Sequence, residues 1–428
     1  MPDGGAAKTL SVKEQIAAEA RAILAEPERG NADGDEGVGW DIGELVAPEE
    51  RERKSNEAKE RREMQLLTDR LVDACCRGDL GGEEKCDGDG AQSKVSKPFD
   101  DGTTVEAIIA EARRKFGDRA NMVINLAKRH QIGKGIKEGV WCAVTPLLAA
   151  CRFGHSQVAR RLVDMGADLD ANDVLGDSSL IHASRCGHLG TVNMLGKANH
   201  DAANIKGETA LIVAVSSERE NSSAIAGKLI LGGCDVNVQD ASGTSALMIA
   251  ARLGKYRMVK RLCNAGADVE AADRHKRTAM HHAARYGHQL VCVALVDNIS
   301  DVDVRDRNGW TPLMYASRWN RTSVAEYLID QGALVNVRER KEGKSALSFA
   351  AERAHRKIVK LLLRNDDTDS HLRDIYGKKP LDLVPDAASN NLALASALEE
   401  HMEKCDDGGL IQSSSDSSDF DDYDSDAL

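Results

Sequence analysis

Arginines and large aromatics carry the most suggestive chemistry in this chain, because they recur at a fixed place. Arg152 and Phe153, Arg185 and Cys186, Arg252 and Leu253, Arg285 and Tyr286, and Arg318 and Trp319 each stand seven and eight residues after a Ser or Thr that opens a recurring segment. Arg274, Arg277, Arg305, Arg307, Trp310 and Arg338, with His275, crowd the stretches between the later segments. A guanidinium pairs with carboxylate or phosphate through a planar fork, and an aromatic ring supplies rigid apolar area; together they make binding hot spots. The pattern predicts a surface for an acidic or phosphorylated partner, centred on Arg285, Tyr286, Trp310, Arg318 and Trp319. Solubility and local packing are the plainer role for Arg at such a position.

Catalytic and metal chemistry find no comparable pattern. His281, His282 and His288 lie close in sequence, but no Cys or carboxylate stands beside them at metal-ligand spacing. Gly133-Lys134-Gly135 lacks the rest of a phosphate-binding loop, and Gly-x-Ser-x-Gly is missing. The ten Cys have no C-x-x-C spacing; Cys151, Cys186, Cys263 and Cys292 fall in apolar, helix-like segments and read as buried, reduced thiols. The expectation is a chain that is no enzyme and uses no metal, cofactor or small-molecule substrate.

The elements that position the arginines come from a repeat. Thr145-Pro146-Leu147, Ser178-Ser179-Leu180, Thr209-Ala210-Leu211, Ser245-Ala246-Leu247, Thr278-Ala279-Met280, Thr311-Pro312-Leu313, Ser345-Ala346-Leu347 and Lys379-Pro380-Leu381 follow one another at 33, 31, 36, 33, 33, 34 and 34 residues. The Ser or Thr caps a helix N-terminus. Small pairs such as Ala250-Ala251 and Ala283-Ala284 then let helices approach closely, and Gly154-His155, Gly187-His188 or Gly287-His288 marks a turn. A second helix carries Val158, Leu162 and Val163, or Val324, Tyr327 and Leu328, at helical spacing, and Gly166-Ala167-Asp168 or Gly266-Ala267-Asp268 ends it.

This pattern resembles the ankyrin repeat over roughly 141–400, as seven units and a terminal cap. The resemblance implies an all-α repeat solenoid of helix-turn-helix units joined by β-hairpin loops. It also implies His side chains that bond backbone between units, and a concave groove lined by hairpin tips and by the exposed end of each first helix. Two departures stand out: the second unit lacks its Gly-Ala-Asp near 197–203, and the third carries an insertion at 216–224.

The ends differ from this middle. Of the net charge of −12, residues 1–70 carry −6 and residues 406–428 carry −8, which leaves 71–405 slightly basic. Residues 1–70 read as a flexible charged segment with helices. Leu71 to Leu80 resembles half a repeat, so 71–138 is expected to be a degenerate capping repeat with a disordered insertion at 81–101, its second helix supplied by Val105, Ile108, Ile109 and Ala112. Residues 139–400 are the repeat domain, and 401–428 a disordered acidic Ser/Asp tail in which Ser413 and Ser418 are candidate phosphorylation sites.

The function expected is a protein-interaction scaffold for an acidic surface or peptide, with the acidic tail as an intramolecular competitor. Nucleic-acid binding through the same basic groove is the alternative, opposed by the acidic ends and by Asp268, Asp273, Asp301 and Asp306 among the basic residues. A regulatory subunit of an enzyme complex is the third reading. Neither an apolar run of 18 residues nor a signal-peptide core is present, so no membrane role and a cytoplasmic location, with the nucleus open, are expected.

Overall fold

Each repeating segment folds because its first hydroxyl closes a helix. Thr145, in extended backbone, accepts the Leu148 N–H at 3.3 Å, and Ser178, Thr209, Ser245, Thr311 and Ser345 do the same for the residue three further on. The computed structural model describes residues 48–78, 104–126, 128–131, 141–385 and 391–408. The expected insertion at 81–101, Ser413 and Ser418 lie outside those residues. The chain divides at Lys59–Glu60, and the account below concerns Glu60–Leu428 and the helix that leads into it.

Seven helix pairs follow in order: α4 (Pro146–Phe153) with α5 (Ser156–Asp164), α6 (Ser179–Cys186) with α7 (Leu189–Met194), α8 (Ala210–Ser216) with α9 (Ser222–Leu231), α10 (Ala246–Arg252) with α11 (Tyr256–Asn264), α12 (Ala279–Tyr286) with α13 (Gln289–Val296), α14 (Pro312–Arg318) with α15 (Thr322–Asp330), and α16 (Ala346–Glu352) with α17 (Arg356–Leu362). These pairs are units 1 to 7. First helices stack on first helices and second on second. Enclosed on both sides, a first helix is apolar all round; Ala246 to Ala251 are all buried. A second helix is amphipathic, burying Val158, Ala159 and Leu162 in unit 1 and Val324, Ala325 and Leu328 in unit 6, while Val163 and Tyr327 stay half-buried.

One device registers each unit on the last. In the turn between its two helices, a side chain reaches the carbonyl that ends the preceding first helix: His188 Nε2 to Arg152 O at 3.1 Å, His288 Nε2 to Arg252 O at 3.0 Å, Arg321 Nε to Arg285 O at 3.1 Å and His355 Nε2 to Arg318 O at 3.1 Å. Lys255 bonds Val215 O and Ser217 O instead, and in the unit 3 insertion Asn221 reaches Gly187 O. Glycine is needed beneath the imidazoles: Gly154 and Gly254 have φ of +79° and +69°, and a Cβ on either would sit 2.5 Å from the Nδ1 of His188 or His288. Asn320 and Ala354 take the same left-handed turn in units 6 and 7 without that freedom.

The ends repeat the device. α1 (Pro48–Arg77) buries Leu67, Leu71, Ala74 and Cys75 and stops at Gly78, over which His155 bonds Cys76 O at 3.0 Å. α2 (Val105–Phe116), capped by Thr104, buries Val105, Ile108, Ile109 and Ala112, and a short turn leads to α3 (Ala120–Asn125). A two-stranded antiparallel ribbon, β1 (Lys128–Gln131) with β2 (Trp141–Val144), precedes unit 1 and was not foreseen. After unit 7 a 3-10 turn (Pro380–Leu383) and α18 (Leu392–Gly408) close the stack. Residues 401–408, expected in the disordered tail, are helical. Leu394 and Leu398 are buried, and Ser370 and His371 hold the ring of His401 and the carbonyl of Met402.

Candidate binding surface

The hairpin tips are built around one side chain that the sequence reading overlooked. Asp173, Asn204, Asp240, Asp273, Asp306 and Asp374 each accept the N–H groups two and four residues on, which folds the loop into a tight turn; Glu339 accepts two and three residues on. Backbone bonds then join tip to tip: Arg274 N–H to Ser242 O at 3.1 Å, Arg307 N–H to His275 O at 2.9 Å and Arg340 N–H to Asn308 O at 2.9 Å. The tips thus form a ladder that positions the residues standing on it.

Two of the arginines expected to bind a partner serve the tips instead. Arg277 holds Asp273 through Nε and Nη2, both at 2.8 Å, and Arg185 holds Asp177 at 2.9 Å with Glu208 at 3.7 Å. Burial alone would raise the Asp273 carboxyl, but the hydrogen bonds from Arg277 overcome it and keep the group below its ordinary range. Arg338 donates Nε to Gly343 O in its own turn. Arg152, Arg252, Arg274, Arg305 and Arg307 are exposed and, among the described residues, make no ion pair.

Arg285, Tyr286, Trp310, Arg318 and Trp319 converge. The Arg285 guanidinium lies 5.1 Å from the Trp319 ring centre and 5.7 Å from that of Tyr286; the Arg318 guanidinium lies 5.4 Å from Trp310 and 5.5 Å from Phe349. Trp310 also packs on Phe349, ring centres 4.4 Å apart, and on Tyr315 at 5.1 Å. Tyr286 and Trp319 remain 41% and 45% exposed. Rings covering the faces of a guanidinium leave its N–H edge to meet an anion, and they fix its direction. Glu352 approaches Arg318 only to 3.9 Å and is itself paired with Lys344 at 3.2 Å. At the other end of the stack Phe153, 51% exposed, has His155 at 6.5 Å as its one ring neighbour among the described residues.

Phe349 and Tyr315 were missed, although the signal was present: four residues after the capping Ser or Thr stand Ala149, His182, Val213, Ile249 and His282, then Tyr315 and Phe349. Tyr315 is buried and donates its hydroxyl to Asp306 at 2.8 Å; burial and that carboxylate push its pKa well up, so it stays a neutral donor.

The histidines do separate jobs. His281 Nδ1 accepts the Thr278 N–H at 3.1 Å and its Nε2 bonds Trp310 O at 3.0 Å, which ties unit 5 to unit 6. His282 points at Asp273, 3.5 Å away, and burial aided by Arg277 pushes it down to about 4. Asp173, Asp177 and His182 bring ligand atoms within 4.8 Å of one another. Each is already engaged, Asp173 with its own turn and His182 at 3.1 Å, Asp177 with Arg185 and Asn204, so the cluster braces a hairpin.

No helix among the described residues is long and apolar enough to cross a membrane. A search of curated proteins finds no significant match. A family model of ankyrin repeats matches the chain in three copies, at residues 110–206, 211–306 and 290–374, and such repeats generally mediate protein–protein interaction. With that match running from α2 to the last hairpin, and the capping hydroxyl, turn and tip recurring along the stack, the chain belongs to the ankyrin-repeat family.

Proposed function

We propose that this chain is an interaction scaffold that holds an acidic or phosphorylated protein segment on the Arg/aromatic surface of units 4 to 7. The observation that carries the reading is the pair of ring-backed guanidiniums. Arg285 lies over Trp319 and Tyr286, Arg318 over Trp310 and Phe349, and Arg252 adds an exposed cation one unit earlier. Cations pre-oriented by rings lose little side-chain entropy on binding, and exposed Trp and Tyr supply the apolar contact that a hot spot needs.

The test exposes the full chain to immobilised Asp/Glu-rich peptides and to their phosphoserine counterparts, with a single-stranded oligonucleotide as a third probe. The account expects selective capture of acidic or phosphorylated peptides, lowered about 30-fold by Trp319→Ala with Arg285→Ala, the equivalent of about 2 kcal/mol. Tighter capture of the oligonucleotide, with a steep salt dependence, would favour nucleic acid instead. Of the acidic residues that argued against that ligand in the sequence, Asp273 and Asp306 are buried and engaged in their own turns, whereas Asp268 and Asp301 are exposed.

A further inference from the structure

The tips of units 5 to 7 carry more exposed positive charge than the others, two of which hold a lysine, Lys206 and Lys378. Asp273, Asp306 and Glu339 are buried, engaged in their own turns, and Glu342, half-buried, is paired with Lys344 at 2.8 Å. Arg274, Lys276, Arg305, Arg307, Arg340 and Lys341 on or beside those turns are exposed and, among the described residues, form no ion pair. At the tip position of Arg274, Arg307 and Arg340 the other hairpins have Val174, Ile205, Ala241 and Ile375. The backbone ladder holds the three basic tips in line, so their cations form a continuous ridge.

An anionic segment of suitable length lies in the same chain. Residues 409–428 contain Asp416, Asp419, Asp421, Asp422, Asp424 and Asp426 and no Lys or Arg. They follow α18, which packs on α17 and on the terminal 3-10 turn, beside unit 7. Packed helices lie about 10 Å apart, so three tips cover about 20 to 30 Å. Residues 409–428 can reach about 65 Å when extended.

We propose that this basic ridge is the docking surface of the chain's own acidic segment, residues 416–426, held in cis by charge. A tether of this length keeps the segment at about millimolar local concentration, so weak pairing suffices for substantial occupancy. Charge dominates the attraction, because the ridge offers exposed arginine and lysine and the segment carries six Asp. Salt therefore releases the segment, and phosphate on Ser413 or Ser418 tightens it, adding up to about −2 each. The proposal does not rest on the Arg/aromatic surface, none of whose ring-backed residues it uses.

The experiment follows the amide resonances of 416–426 in the full-length 15N-labelled chain at about 50 mM and about 500 mM salt, where screening is weak and then strong. Three double variants accompany it: Arg307→Glu with Arg340→Glu, the milder Lys276→Gly with Lys341→Ser, and Arg285→Ala with Trp319→Ala. The expected result is a set of low-salt shifts that vanish at high salt, fall by about half or more in both ridge variants, persist in the third variant and do not change on tenfold dilution. The proposal is overturned if the ridge variants, with the array's own resonances intact, leave the shifts unaltered. It is equally overturned if the shifts disappear only in the Arg285/Trp319 variant, or if they weaken on dilution, which would make a second copy the occupant.

Discussion

Units 1 to 3 and units 5 to 7 share a skeleton and differ in what they display. Both halves use the capping hydroxyl, the turn side chain on the preceding carbonyl, and the Asp, Asn or Glu at the tip. In the first half Val174 and Ile205 stand on the tips, Arg185 is tied to Asp177, and Phe153 meets one imidazole. In the second half the tips are basic and two guanidiniums lie on rings contributed by neighbouring units. The repeat thus sets where a side chain points, and the few positions free of stacking duty set what is recognised.

The shared skeleton should fail equally in unit 1 and in unit 4, whose turn glycine lies beneath the His288 of unit 5. Gly154→Val and Gly254→Val each place a branched side chain at left-handed φ, with a Cβ 2.5 Å from an imidazole; each should cost about 3 kcal/mol or more in denaturant unfolding followed by circular dichroism. Gly266→Val, with φ +84° and nothing within 4 Å, should cost only the strain of about 1 to 2 kcal/mol. Equal costs for Gly254 and Gly266 would remove the imidazole from the account.

A pH effect should mark the second half. His282 sits near 4 when folded and near 6.5 when unfolded, so between those values the unfolded chain binds a proton that the native chain refuses. The contribution of His282 to stability is therefore present above about pH 6.5 and falls by about 3 kcal/mol as pH drops to 4. His282→Leu should flatten that fall in urea midpoints compared at pH 7 and 4.5, and an unchanged slope would refute the assignment.

A smaller gain should come from repairing one joint. Asn125, Asn237 and Asn336 clasp the next unit twice, accepting an N–H and donating to a carbonyl. Asp303, in the same place, accepts the Leu334 N–H but leaves Oδ1 buried without a partner, and burial raises its pKa. Asp303→Asn should stabilise by about 1 kcal/mol, read as a higher melting temperature. The smallest effect is expected between Gly78 and Thr104: deletion of 81–101 should leave the melting temperature within about a degree, because so polar a sequence contributes little beyond closure entropy.

Much of the fold was legible because its causes are local. A capping hydroxyl, a left-handed glycine and a 33-residue period act within one unit and recur, so the helix pairs follow from them. The surface was legible only in part. Nothing local distinguishes Arg277 from Arg285, yet one folds back onto Asp273 and the other lies over a ring of the next unit. Phe349 and Tyr315 stand among the buried residues of their first helices, where residue type alone does not separate packing from recognition; Phe349 lies under the Arg318 guanidinium and Tyr315 gives its hydroxyl to Asp306 at the tip. Residues 401–408 looked too acidic to fold, but Leu394 and Leu398, one and two turns earlier, carry the helix past them.

The most direct test of the central claim sets the two halves against each other in one binding measurement. Arg285→Ala with Trp319→Ala, and Arg152→Ala with Phe153→Ala, remove the same two residue classes from equivalent helix ends of units 5 and 6 and of unit 1. Titrated with the acidic or phosphorylated peptide that the full chain captures best, the first pair should weaken binding about 30-fold and the second by less than about twofold, with both variants folded by circular dichroism. Equal losses, or a larger loss from Arg152 and Phe153, would contradict the assignment of recognition to the second half.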